Sequence, residues 1–189
     1  MNSTFHFLKA ALKEPLQIST LFQTSTLTVR KLLSPLRSDF HCSVLELGVG
    51  AGAVTASIYK MMSDKDHYLG IEINEDLYKF VSQKYPEFKF VCGSAESLSD
   101  YSEKRKFDLI VSTLPWSLFD AQMQNGIVEQ IKSHLDKGGY FKTYMVCNAL
   151  LTKSGKRFEN LLNEKFQVQT SWEFLNIPPA KVFECRLKI

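Results

Sequence analysis

Val44-Leu45-Glu46-Leu47-Gly48-Val49-Gly50-Ala51-Gly52-Ala53-Val54-Thr55 is the stretch on which the fold of this chain turns. Val44, Leu45 and Leu47 begin it as a buried strand. Three glycines at alternating positions then make a turn, and a helix is expected from about Ala53. Glycine admits positive φ and lets another group approach without a Cβ in the way. The helix that follows offers N–H groups without intrahelical partners. The stretch therefore reads as strand, ligand-contacting turn, helix. A glycine-rich turn with no ligand is the competing reading in any α/β protein.

The spacing is not that of the dinucleotide fingerprint, which needs G-x-G-x-x-G. Here it is G-x-G-x-G, with Glu46 two positions ahead. A carboxylate at the strand tip does little for a pyrophosphate and suits a ligand with a positive end. E-x-G-x-G-x-G after an apolar strand resembles the first motif of class I S-adenosylmethionine (SAM) methyltransferases. The resemblance implies that Gly48, Gly50 and Gly52 lie against the methionine part and ribose of the cofactor, with Glu46 near its amino group.

The length of 189 residues suits one α/β domain, and 44% apolar content suits an ordinary core. A net charge of +3 leaves no strong nucleic-acid signal. No run of about 18 apolar residues is present, so no transmembrane helix is expected. The N-terminus lacks a signal-peptide pattern. Cys42, Cys92, Cys147 and Cys185 show neither metal-ligand spacing nor a disulfide framework. Reduced cysteines, no metal and a cytoplasmic location follow as expectations.

Residues 1–16 carry Phe5, Leu8, Ala11, Leu12 and Leu16 with Lys9 and Lys13 between them. This fits an amphipathic helix that either docks on the core or lies on an anionic membrane surface. Pro15 limits it. A second helical pattern within residues 18–36 has Thr24 or Ser25 as a cap and ends at Pro35. After the glycine turn, residues 54–62 read as a crossover helix and residues 68–73 as a strand. Glu72, followed by Ile73, stands at its tip, roughly 20 residues past the glycines, where Rossmann-like sites bind a ribose diol. Two acceptor oxygens match two hydroxyl donors.

A helix over residues 76–84 leads to a strand at 88–92, then Gly93-Ser94-Ala95. In the methyltransferase family this place commonly reads Gly-Asp-Ala, with the Asp accepting from the adenine amino group. Ser94 accepts such a bond more weakly, and Ser94 and Ala95 are expected beside the adenine. Lys104-Arg105-Lys106 reads as a solvated loop. Residues 107–112 form a strand that runs into Thr113-Leu114-Pro115-Trp116-Ser117-Leu118-Phe119. Ligands bind outside the carboxyl ends of such strands, so this loop is where a methyl acceptor is expected. The alternative is a turn with its aromatics packed inward. Residues 120–135 read as a helix, Gly138-Gly139 as a turn, 140–146 as a strand and 155–166 as a helix. Residues 168–175 and 181–189 read as strands whose five-residue link, Asn176 to Ala180, allows only a hairpin. The expected fold is α/β and Rossmann-like: a seven-stranded, mostly parallel sheet with a C-terminal antiparallel hairpin and helices on both faces.

A narrower resemblance covers nearly the whole chain. Phe7-Leu8-Lys9-Ala10-Ala11-Leu12-Lys13-Glu14-Pro15, Ser112-Thr113-Leu114-Pro115-Trp116 with Phe119, and Asn176-Ile177-Pro178-Pro179-Ala180-Lys181-Val182-Phe183 resemble segments of bacterial phospholipid N-methyltransferases. Thr113 stands where that family has Gly, Ser94 where it has Asp, and Gln23-Thr24-Ser25 where Pro-Ser-Ser is common. The resemblance implies methyl transfer from SAM to the amino group of phosphatidylethanolamine or a related phospholipid. It implies Ser25 and Thr113 as further cofactor contacts, and Thr113, Pro115 and Trp116 as catalytic, with Trp116 holding a methylated ammonium by cation–π contact. Tyr140 and Tyr144 are the candidate bases. Residues 1–36 are then a helical cap on the membrane and substrate side, and residues 37–189 the SAM-binding domain. The protein is expected to be a monomer, peripheral on the inner membrane face. Two other readings stay open: an rRNA or DNA adenine N6-methyltransferase, whose Asn-Leu-Pro-Tyr loop is one step from Thr113-Leu114-Pro115-Trp116, and a SAM-binding protein without transferase activity.

Overall fold

The computed structural model describes residues 25–34, 36 and 42–188. The helix expected within residues 1–16, and with it most of the 1–36 segment, lies outside those residues.

The chain runs α1 (Thr26–Leu32), β1 (Val44–Leu47), α2 (Thr55–Met61), β2 (Tyr68–Glu72), α3 (Glu75–Lys84), β3 (Lys89–Cys92), α4 (Leu98–Tyr101), β4 (Phe107–Ser112), α5 (Ala121–His134), β5 (Leu135–Val146), α6 (Cys147–Leu150), α7 (Lys153–Lys165), β6 (Phe166–Glu173) and β7 (Ala180–Leu187). Short 3₁₀ turns precede α4 and α5. The seven strands form one sheet in the order β3-β2-β1-β4-β5-β7-β6. The first five are parallel, and β7 is antiparallel to both its neighbours. The Rossmann-like expectation holds, hairpin included.

The central strands are buried on both faces, as parallel strands must be. Alternation along them builds two cores. Leu45, Leu47, Leu69, Ile71 and Ile110 face Trp116, Phe141, Phe158 and α5. Val44, Tyr68, Leu109 and Val111 face α1, α2 and α3. Glu46 and Glu72 follow the second set by the same alternation.

Element boundaries differ from the sequence reading at β5. Gly138 and Gly139 belong not to a free turn but to a register shift inside a longer strand: Phe107 pairs with Leu135 and Leu109 with Tyr140. A Cβ on Gly139 would stand 2.9 Å from two β4 carbonyl oxygens, so glycine lets the bulge lie against the neighbouring strand. The β6 strand begins two residues early because Phe166, 1% exposed, already packs on Phe141.

Ser25 caps α1 as expected, its hydroxyl accepting from Thr28 N. Asn176 ties this end of α1 to the β6–β7 connection. Its Oδ1 accepts from Ser25 N at 3.1 Å and from Thr28 Oγ1 at 3.2 Å, and its Nδ2 donates to Pro178 O at 2.7 Å. At 1% exposure it has no water to replace these bonds. Asn176→Ala is expected to cost about 1–3 kcal/mol, read as a fall in melting temperature of about 2–4 °C per kcal/mol. An unchanged melt would show that the clamp contributes nothing.

Candidate active site

The glycine turn leaves β1 at the carboxyl end of the sheet, beside the point where strand order reverses between β1 and β4, the place at which open α/β sheets bind ligands. Gly48, Gly50 and Gly52 all have positive φ, at 78°, 58° and 83°. Their surroundings differ. A Cβ on Gly48 would meet Leu114 Cδ2 at 2.9 Å, and one on Gly52 would meet Tyr85 at 3.2 Å. A Cβ on Gly50 would meet nothing within 4 Å. Gly48 and Gly52 are thus close-packed, whereas Gly50 presents bare backbone to open space.

Glu72 is anchored at this turn. Its Oε2 accepts from Gly50 N and its Oε1 from Asn74 N, both at 2.8 Å. The carboxylate thus joins the β1 turn to the start of α3, which Asn74 caps. Burial pushes its pKa up, while the backbone N–H groups of Asn74 and Gly50 pull the other way. A carboxylate has acceptor capacity beyond one bond per oxygen, so Glu72 can also take hydroxyl donors. Ile73, half-buried, follows it. Gly93 N donates to Glu72 O, which brings Ser94 and Ala95 to the same rim. Ser94 Oγ accepts from Glu96 N and so caps the short 3₁₀ turn; Ala95 is buried.

Thr113 closes the other side. Its N–H donates to Leu47 O at 3.1 Å and its hydroxyl to Gly48 O at 2.6 Å. The hydroxyl that departs from the family's glycine therefore ties the loop after β4 to the glycine turn. Pro115 is half-buried beside it.

Four expected site residues are placed elsewhere. Trp116 is 1% exposed, stacked on Phe158 with ring centroids 4.1 Å apart. Its indole N–H donates to Thr143 Oγ1 at 2.9 Å. It anchors the acceptor loop in the core and has no open face for an ammonium. Tyr140 pairs with Leu109, three residues before Ser112 on β4, or about 10 Å from the carboxyl edge at ~3.3 Å per residue. Its ring carries the Arg186 guanidinium at 4.1 Å. Tyr140 is therefore at the wrong end of the sheet for a base. Tyr144 is buried in the α1–α2–α3 core. Ser25 caps α1 at the Asn176 clamp, over β7 rather than in the turn.

Glu46 is 0% exposed and lies beneath the turn rather than on it. Its Oε2 accepts from Thr55 Oγ1 at 2.9 Å and from Tyr68 OH at 2.7 Å, while Oε1 has no hydrogen-bond partner among the described residues. Gly70, opposite Glu46 in register, makes room: a Cβ there would stand 2.7 Å from the Tyr68 hydroxyl. Burial raises the Glu46 pKa to about 7, against the pull of its Tyr68 and Thr55 bonds. Thr55, Tyr68 and Gly70 were not singled out from the sequence. Parallel register plus strand alternation would have found Tyr68, two positions along the same face.

Residues 44–139 match the family described as "Methyltransferase domain". The chain belongs to the methyltransferase-domain family. It is 23% identical to the ornithine lipid N-methyltransferase of Singulisphaera acidiphila over 98% of this chain and 97% of that protein. Among solved structures, a TehB-like SAM-dependent methyltransferase from Corynebacterium glutamicum superposes with a TM-score of 0.69 at 16% identity, covering 95% of this chain and 97% of that one. The N-methyltransferase NodS of Bradyrhizobium japonicum, in complex with S-adenosyl-L-homocysteine, gives 0.68 at 16% identity over 85% and 86%. The fold is that of class I methyltransferases. The residues at the turn fit SAM: Gly50 leaves open space beside bare backbone, and Glu72 keeps acceptor capacity next to it.

Two outcomes follow. Gly50→Ala places a Cβ in the space left for the ligand and is expected to weaken SAM binding at least about tenfold, measured by titration calorimetry. The residue's left-handed φ adds about 1–2 kcal/mol to the folding cost. For Glu46, the folded protein holds a proton at pH values where the unfolded chain, near 4.5, has released it. The stability that this group contributes is therefore fully present below pH 4.5 and is lost as pH rises to about 7. Glu46→Gln is expected to flatten that decline in urea denaturation run across this range; an unaltered profile would contradict it.

Proposed function

We propose that this protein is a SAM-dependent N-methyltransferase whose acceptor is the amino group of phosphatidylethanolamine or a related amino-bearing lipid. The observation that carries the acceptor class is the end-to-end match to an ornithine lipid N-methyltransferase, which covers both chains almost completely. A whole-length match takes in the acceptor loop and the β6–β7 connection as well as the cofactor half.

SAM, when bound, supplies an activated methyl group on a sulfonium. The chain's own residues do the positioning. Gly50 offers backbone that a ligand can approach, and Glu72 would take the ribose hydroxyls. Ser94 and Ala95 would border the adenine. Thr113 and Pro115 form the acceptor side, held rigid by Trp116 below them. A methyl transfer of this kind gains most of its rate from orientation and exclusion of water. Trp116 acts through position alone, because its stacking on Phe158 fixes the loop backbone. Among the described residues no helix is long and apolar enough to cross a membrane, which is compatible with a cytoplasmic enzyme that works peripherally on the inner membrane face.

The test is transfer of label from methyl-labelled SAM to phosphatidylethanolamine and to ornithine lipid dispersed in detergent micelles, with RNA and small amines as parallel acceptors. Label is expected in one or both lipids and in neither control. Label in RNA alone would transfer the assignment to a nucleic-acid methyltransferase. SAM binding with no labelled acceptor would remove the lipid assignment.

A further inference from the structure

Among the described residues the exposed apolar side chains are not scattered. Apart from Phe80 on α3, the large ones left in solvent there are Leu118, Leu151, Trp172, Phe174, Leu175 and Ile177. Leu118 follows β4 and Leu151 follows β5. The last three lie in the β6–β7 connection, which meets the carboxyl end of β5 where Val146 pairs with Ala180 and Cys147 N donates to Pro179 O. All six therefore stand along one half of the carboxyl rim, from β4 to β6, the rim on which the glycine turn opens. Phe174, Leu175 and Ile177 are 72%, 73% and 92% exposed. Phe174 stacks on Trp172, with centroids 5.9 Å apart and planes at 16°. Concentrated apolar exposure of this kind marks an interaction site.

Cations border the patch. Lys153 and Lys156 stand exposed on the first turn of α7, directly after Leu151, and Arg30 is exposed on α1. Apolar side chains at a tip with basic residues behind them fit an anionic bilayer, where the apolar groups enter the headgroup–acyl boundary and the cations meet lipid phosphates. The chain's own connectivity adds to this. Ser25, bonded to Asn176 of the same connection, is where residues 1–24 join the rim, and their sequence combines Phe5, Leu8, Leu12 and Leu16 with Lys9 and Lys13.

We propose that the β6–β7 connection, with Leu151 and the flanking Lys153 and Lys156, is a docking face for an anionic lipid bilayer. It rests on the lipid-acceptor reading in one respect: a lipid amine reaches the site only if the rim meets the membrane surface.

The full chain is sedimented with vesicles of phosphatidylethanolamine mixed with phosphatidylglycerol, and with vesicles of phosphatidylcholine alone. The variant combines Phe174→Ser, Leu175→Ser and Ile177→Ser, all at exposed positions. Wild type is expected to bind the anionic vesicles, and the triple variant to bind them at least about tenfold more weakly with its melting temperature and SAM binding unchanged. Trp172 reports the contact directly, since the chain's other tryptophan, Trp116, is buried: its emission is expected to shift to shorter wavelength on vesicles in wild type only. Equal binding by variant and wild type, with release only on removal of residues 1–16, would put the contact in the N-terminal segment and overturn the proposal. So would a wild type that ignores anionic vesicles, or a dimer in solution that the triple variant dissociates. Methyl transfer onto micellar lipid reads the acceptor separately: failure there with vesicle docking intact would remove the acceptor and leave the docking face standing.

Discussion

The Glu72 carboxylate holds this site together. One oxygen takes the Gly50 N–H and the other the Asn74 N–H, so a single side chain fixes the glycine turn after β1 against the start of α3 after β2. Gly48 N and Val49 N also donate to Ile71 O of β2, and Glu72 adds the tie at Gly50, further along the turn. The Thr113 hydroxyl supplies the matching tie on the β4 side through Gly48 O. Backbone in an unusual conformation is thereby held from both flanks, and the open space at Gly50 persists between them. A site held this way is organised before its ligand arrives, which lowers the ordering cost of binding.

The two carboxylates on this face of the sheet do different work because their environments differ. Glu72 is at a strand tip and bonded to two backbone amides. Glu46 is one strand over and fully enclosed, its charge disfavoured by burial and by Glu72 nearby. Its bonds to Thr55 and Tyr68 join α2 and β2 beneath the turn. Burial raises the pKa of this carboxyl well above the ordinary carboxylate range, and a neutral carboxyl relieves the cost of an Oε1 atom that has no hydrogen-bond partner among the described residues. Glu46 therefore supports the turn from inside, and the cofactor's charge is not needed to explain its presence there.

Much of this was legible in the sequence, and the failures share one cause. The strand–glycine–helix segment, the acidic tip of β2, the Ser25 cap and the closing hairpin are local patterns, and each was readable within a dozen residues. Trp116 was read as facing the acceptor because it follows a strand tip. Its orientation is set by Phe158 and Thr143, far along the chain, and no local pattern records them. Tyr140 was a candidate base only because it lies on the fifth strand; the pairing register, which no local pattern records, sets it level with Leu109 rather than with Ser112. Glu46 was read as ligand-facing from its motif, whereas strand alternation turns it into the core. The departures at Thr113 and Ser94 looked like weaknesses in sequence and are hydrogen-bonded parts of the rim in the fold.

The most direct measurement is calorimetric titration of S-adenosylmethionine into wild type and Glu72→Ala, with melting curves of both. Glu72 supports the turn and faces the ligand space, so wild type is expected to bind and the variant to lose at least about tenfold in affinity while still unfolding in one cooperative transition. A variant that binds as tightly as wild type would contradict the account, because neither the turn nor the ligand would then depend on that carboxylate.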